Sequence, residues 1–166
     1  MNIVLCGMMG SGKTTIARTL SADYDLEWID TDERIVEEFG PINDIFARAG
    51  EEGFRDIESK ITYIVAQSLE DGVISLGGGC VLREGNVKEL KKTGKIFYLR
   101  TSPEVIISRI KGDSTRPLLQ GGLEEKVRSI SAARSSVYEG CADYIIDTDD
   151  KTPEQIAKLI MEKMAI

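Results

Sequence analysis

Short apolar runs alternate along the chain with stretches in which apolar residues recur every three or four positions. The runs at 2–6, 27–30, 73–76, 95–99 and 144–147 read as five β-strands. Helical spacing covers 13–22, 33–39, 42–49, 52–69, 86–92, 103–110, 124–138 and 153–164. The punctuation agrees with these limits. Gly40-Pro41 stops one helix, Gly50 separates two others, and Gly94 ends a short one. Pro103 stands in a first helical turn and Thr152 at an N-cap position. Residues 111–122 lack apolar periodicity and hold Gly112, Asp113, Pro117, Gly121 and Gly122 around Arg116, the pattern of a mobile loop. Strands alternating with helices predict an α/β fold with a largely parallel sheet. No repeat, low-complexity tract or linker interrupts it, so residues 1–166 are read as a single domain.

The join between the first strand and the first helix narrows the function. Gly7-Met8-Met9-Gly10-Ser11-Gly12-Lys13-Thr14 has the spacing G-x-x-x-x-G-K-[ST], with Ile3-Val4-Leu5-Cys6 before it and a helical pattern after it. Glycines let backbone N–H groups turn toward phosphate oxygens, and the helix behind presents its positive end to the same anion. Lys13 can reach the β- and γ-phosphates, and the Thr14 hydroxyl can ligate Mg²⁺. The expected nucleotide cradle is Gly10, Ser11, Gly12, Lys13, Thr14 and Thr15. The chain is therefore expected to bind a nucleoside triphosphate.

Composition removes several alternatives. The length of 166 residues suits one domain, and the net charge of −7 argues against a nucleic-acid partner. Positive charge set singly at Arg55, Arg116 and Arg134 suits small-anion recognition instead. The absence of histidine excludes His general-base chemistry and His-ligated zinc. Cys6, Cys80 and Cys141 show no C-x-x-C pairing, so neither a disulfide framework nor a metal cluster is implied. No run is long enough to span a membrane and no signal peptide is read, so a reducing cytoplasm is the expected location.

Ligands of parallel α/β sheets bind beyond the carboxyl ends of the strands. The second strand ends in Asp30-Thr31-Asp32. If that segment is extended, both carboxylates share a face, one to assist Mg²⁺ through water and the other to position or deprotonate an attacking hydroxyl. Helix capping is the competing reading of these aspartates. The third strand runs into Gly77-Gly78-Gly79, which permits close approach of a ligand to backbone. Arg55 and Glu58 stand three apart on a helix, where a pre-oriented guanidinium suits capture of a carboxylate or phosphate. Arg116 in its glycine-containing loop can close over transferring phosphates as a lid.

As a set these residues resemble the shikimate kinase family over nearly the full chain. The phosphate loop is common to many unrelated proteins. Far more specific is the ordered combination of Asp30-Thr31-Asp32, Phe54-Arg55-Asp56-Ile57-Glu58, Gly77-Gly78-Gly79, Arg116-Pro117-Leu118-Leu119 and the R-x-x-x-Y stretch from Arg134 to Tyr138. Ile146-Asp147-Thr148 with Pro153 resembles the family's adenine-side segment.

The resemblance implies a three-layer P-loop kinase fold with a central five-stranded parallel sheet, helices on both faces and a mobile lid. It implies phosphorylation of the 3-hydroxyl of shikimate by ATP with Mg²⁺, in aromatic amino acid biosynthesis. On that basis Lys13, Asp32 and Arg116 carry the chemistry. Asp32, Arg55, Gly77, Gly78, Gly79 and Arg134 bind the substrate, with Glu58 orienting Arg55. Arg109 and Pro153 flank adenine, and Thr14 with Asp30 supports the metal, Asp30 through water. Substrate-binding helices fall at about 32–60 and the lid at about 111–123. A monomer acting on a small molecule, with no nucleic-acid or membrane partner, completes the expectation. Cys80 departs from the smaller or more inert residue usual after the glycines and raises the question of sensitivity to thiol reagents. A gluconate kinase and a non-catalytic nucleotide-binding module are the competing functional readings.

Overall fold

Strands β1 (Asn2–Cys6), β2 (Trp28–Asp30), β3 (Val73–Ser75), β4 (Gly94–Arg100) and β5 (Tyr144–Asp147) pair throughout in parallel, in the order β2-β3-β1-β4-β5. This is a computed structural model that describes residues 1–112 and 122–165. Arg116, and with it the expected lid motif, lies outside the described residues. The helices are α1 (Lys13–Tyr24), α2 (Thr31–Phe39), α3 (Ile42–Ser68), α4 (Glu84–Thr93), α5 (Pro103–Lys111), α6 (Leu123–Cys141) and α7 (Pro153–Met164).

Alternation along β1 explains why the sheet is covered on both faces. Ile3 and Leu5 pack with Ile16, Ala17 and Leu20 of α1 and Ile156, Ala157 and Ile160 of α7. Val4 and Cys6 point the other way, into a larger core with residues of α2 to α6, among them Ile35, Ile61, Leu90, Ile106 and Tyr138. A strand buried on both faces reads as a continuous apolar run, and β1 is one. The three-layer α/β arrangement expected from the sequence is thus present.

Helix boundaries follow local chemistry. Asp30 caps α2 by accepting the Glu33 N–H at 3.1 Å, which starts that helix at Thr31, two residues earlier than the apolar spacing suggests. Within α3, Gly50 takes φ 71° and ψ −176°, so the predicted break between two helices is a sharp non-helical joint. Thr152 and Gln155 form a reciprocal capping box at α7. A single 3₁₀ turn, Cys80–Leu82, follows the glycines and has no periodic signal in the sequence. Lys111 and Glu124 form an ion pair at 2.5 Å that joins the end of α5 to the start of α6.

With β1 central, the chain first crosses to one side of it (β2, β3) and then to the other (β4, β5). That reversal leaves a crevice at the carboxyl end of β1, where the glycine loop emerges.

Candidate active site

The turn from β1 into α1 needs glycine for two separate reasons. Gly12 caps α1 in the left-handed region, at φ 97°. At Gly7 a Cβ would lie 2.8 Å from the Leu99 carbonyl oxygen, so the loop can pass over β4 only without a side chain. Lys13 is folded into this loop, where its ammonium donates to the carbonyls of Gly7 at 2.7 Å and Met8 at 2.9 Å. Ser11 is buried, and its hydroxyl has no protein partner among the described residues. Thr101 at the end of β4 reaches the Ser11 carbonyl and shares a 2.6 Å hydrogen bond with Thr148 beyond β5.

One cleft of about 670 Å³ gathers most of the predicted residues. Gly10, Ser11, Gly12, Lys13, Thr14 and Thr15 line it from the loop, Asp30 and Asp32 from the start of α2, and Gly77 and Gly78 from the end of β3. Arg109 and Pro153 line it as well. The Arg109 guanidinium donates to the Gly10 carbonyl at 3.0 Å, which holds α5 against the loop. Thr148, from the expected adenine-side segment, lines the cleft too, as does Lys151, which escaped the sequence reading. The only signal for Lys151 was position, since it follows β5 at the ligand-binding edge of the sheet.

The aspartate pair is not extended. Asp30 ends β2 and caps α2, while Asp32 already lies in the first helical turn. Helix capping and a place in the cleft therefore coexist. One Asp30 oxygen caps the helix, and the other accepts from the Thr14 hydroxyl at 3.4 Å. Mg²⁺ commonly takes one or two protein oxygens and completes its octahedron with water and phosphate. The Thr14 and Asp30 oxygens fit that demand. Among the described residues no group of three acidic, Cys or His ligands forms a protein-only metal cage. Asp32 lies beside Gly77, where a Cβ would come within 2.6 Å of its Oδ1. Burial pushes the Asp32 carboxyl above its ordinary value, and the neighbouring Asp30 charge adds to the rise. Lys13 and Arg55 pull it partly back.

Beyond Gly78 the cleft adjoins an arginine-rich recess. Arg55 pairs with Glu58 at 2.8 Å, and Glu58 is only 1% exposed. Burial raises the Glu58 carboxyl, and its hydrogen bond to Arg55 opposes that rise. Its second oxygen, Oε2, has no partner among the described residues. The Arg55 guanidinium packs against Gly79 so closely that a Cβ there would collide with it. It also lies 5.3 Å over the Phe54 ring, on which Phe46 stacks at 4.8 Å. Arg134 approaches from α6, with Nη1 3.3 Å from where a Gly78 Cβ would stand. Two guanidiniums thus face two consecutive glycines, a geometry suited to a carboxylate held between them.

Cys80 does not belong to this surface. It is fully buried, its sulfur shares a 3.3 Å hydrogen bond with the Thr62 hydroxyl, and burial pushes the thiol up to about 12. A thiol of that kind is not reactive, which removes the question of reagent sensitivity at this position.

A parallel sheet with β1 central, a G-x-x-x-x-G-K-T turn at its crest and a carboxylate beside the phosphate cradle define a P-loop kinase. The family described as shikimate kinase matches residues 9–165. The chain belongs to the shikimate kinase family. Its sequence is 45% identical over 163 residues to a shikimate kinase of Caldicellulosiruptor bescii, covering 96% of this chain and 93% of that one. It is 42% identical over 164 residues to a shikimate kinase of Thermodesulfovibrio yellowstonii, covering 98% and 94%. Among solved structures, shikimate kinase from Acinetobacter baumannii in complex with shikimate superposes with a TM-score of 0.89 at 34% identity, covering 99% of this chain and 92% of that one. Shikimate kinase from Bacteroides thetaiotaomicron gives 0.90 at 30% identity, covering 100% and 99%.

Proposed function

We propose that the chain transfers the γ-phosphoryl group of ATP to the 3-hydroxyl of shikimate, giving shikimate 3-phosphate and ADP. The observation that carries this reading is the continuity between two sites. The phosphate cradle and the arginine recess meet at Asp32, Gly77 and Gly78. A hydroxyl held there lies between a carboxylate and the phosphate loop.

In this reading shikimate places its carboxylate between Arg55 and Arg134 and its ring against Gly78 and Gly79. Asp32 accepts a hydrogen bond from the reacting hydroxyl and takes its proton as the phosphoryl group arrives. Lys13 stabilises charge on the transferring group, and the helix dipole of α1 supports the phosphates from behind. Thr14 and, through water, Asp30 would hold Mg²⁺, which would supply positive charge against the phosphates. Arg109 and Pro153 flank adenine, and Arg116 stabilises charge on the transferring group. The chain acts as one catalytic domain and as a monomer in the cytoplasm. Among the described residues no helix is long and apolar enough to cross a membrane. The test is the product. Phosphorus–proton coupling in the purified product places the phosphate on the 3-oxygen if the reading holds, and on another oxygen if it fails.

Two variants probe the acceptor recess. Gly79 sits at φ −100° and ψ 1°, which alanine adopts without strain, yet the methyl added by alanine would displace the Arg55 guanidinium. Gly79→Ala is therefore expected to keep a near-native melting temperature while raising the KM for shikimate about tenfold. A wild-type KM would separate Arg55 from the acceptor. Arg55→Ala removes a charge-assisted contact and is expected to raise that KM about ten- to a hundredfold. ATP affinity measured without shikimate should stay near wild type. An equal loss of ATP binding would assign Arg55 to the nucleotide site or to the fold.

A further inference from the structure

We propose that the Tyr138 hydroxyl is a positioning group for the acceptor site, fixing the Gly78 carbonyl and with it the glycine wall that Arg134 faces. This inference rests on the acceptor reading given above.

Tyr138 is fully buried in α6, with its ring tilted against Tyr98 at a centroid distance of 5.0 Å. Its hydroxyl donates to the Gly78 carbonyl oxygen at 2.6 Å, a contact spanning 60 residues of sequence. Arg134 lies one helical turn earlier. Burial is the largest influence on the phenol and pushes its pKa up, and the Arg134 charge opposes that rise, so at neutral pH the phenol keeps the proton it donates. The hydroxyl thus holds the glycine turn through its donated proton, beside the Arg134 side chain that faces the same glycine.

The consequence for binding follows from peptide geometry. In a trans peptide the carbonyl of one residue and the N–H of the next point in opposite directions. Fixing the Gly78 oxygen toward α6 therefore points the Gly79 N–H the other way within the same peptide plane, away from α6. Three glycines in a row have the greatest backbone freedom of any tripeptide, and ordering them on ligand binding would cost affinity. One buried hydroxyl meets part of that cost before the substrate arrives. Ring packing does not need this oxygen, because phenylalanine would fill the same space against Tyr98.

Tyr138→Phe isolates the hydroxyl. Steady-state kinetics with the full chain, varying shikimate and ATP separately, give the readout. The expected result is a rise in the shikimate KM on the order of tenfold, with the ATP KM within about twofold and kcat within about threefold of wild type. In an Arg134→Ala background, Y138F should add less than it does alone, because both side chains bear on the same glycine wall. An unaltered shikimate KM overturns the proposal, as do a parallel rise in both KM values and full additivity with Arg134→Ala. A Y138F chain that circular dichroism shows to be unfolded also overturns it, since the hydroxyl would then be a stability element. Failure of the wild-type chain to turn over shikimate overturns the acceptor reading and this inference with it. Wild-type turnover beside an unaltered Y138F overturns this inference alone.

Discussion

Replacing Asp32 by asparagine is expected to lower kcat by about a hundredfold to ten-thousandfold, the range for loss of a positioned general base. The melting temperature at pH 7 should at the same time rise. Both effects come from one feature of the site. Burial first, and Asp30 second, make the ionised carboxylate of Asp32 unfavourable in the folded chain. Its folded pKa lies above the unfolded value of about 3.9. Above that raised value the folded state carries a charge it disfavours and the unfolded state does not, so stability is reduced there. The cost is relieved as pH falls through the folded pKa toward the unfolded one. Asparagine keeps the shape and removes the charge, which relieves the same cost at neutral pH. The pH profile of kcat/KM supplies a second check. Its acid limb should lie above the ordinary aspartate range in the wild type, and D32N should lose that limb. Retained turnover in D32N, with the acid limb intact, would assign proton acceptance to another group. Measured together, kinetics and thermal melts separate a lost base from a damaged fold.

Lys13→Ala should lower kcat by about a hundredfold or more, with the protein still folded. In this structure the ammonium is held inside the phosphate loop by the Gly7 and Met8 carbonyls. In the proposed mechanism it therefore needs no long side-chain search to meet the phosphates. Its contribution grows as charge develops on the transferring oxygens, so the loss should appear in kcat rather than in KM alone. Single-turnover transfer from labelled ATP measures that step directly. Unchanged turnover would remove Lys13 from the chemistry and leave it as a structural tie within the loop. Arginine should not rescue the activity, because a planar guanidinium cannot replace a compact ammonium among those carbonyls.

Legibility in the sequence tracked the range of each interaction. The β1–loop–α1 unit was fully readable, because strand, glycines, Lys13 and Thr14 are contiguous and each has a local requirement. The Arg55–Glu58 pair was readable from its i,i+3 spacing, and the 2.8 Å contact is there. Asp32 was readable as a residue of the cleft but not in its conformation. The cap made by Asp30 draws residues 31 and 32 into α2, so the pair meets the cleft from a helical turn rather than from an extended edge. The 3₁₀ turn at Cys80–Leu82 carries no periodic signal because it is one turn long. Cys80 looked close to the ligand in sequence. That turn instead buries it, with its sulfur against Thr62 and its carbonyl accepting from Asn86.

The contacts that assemble the acceptor recess were not readable at all. Arg55 against Gly79 and Tyr138 on Gly78 join α3 and α6 to the end of β3 across dozens of residues. Neither helix reveals from its own pattern which strand end it will face. Lys151 went unnoticed for a related reason. A single exposed-looking lysine before a helix has no spacing to distinguish it, and only the fold sets it beside Pro153 in the cleft.

Release of ADP from Mg-ATP, followed with shikimate, with gluconate and with neither, tests the proposed activity most directly. Rapid release that requires shikimate and is not supported by gluconate is the expected result. ATP binding without shikimate-dependent turnover would contradict it, leaving the phosphate loop functional but the recess formed by Arg55, Arg134 and the three glycines without its assigned acceptor.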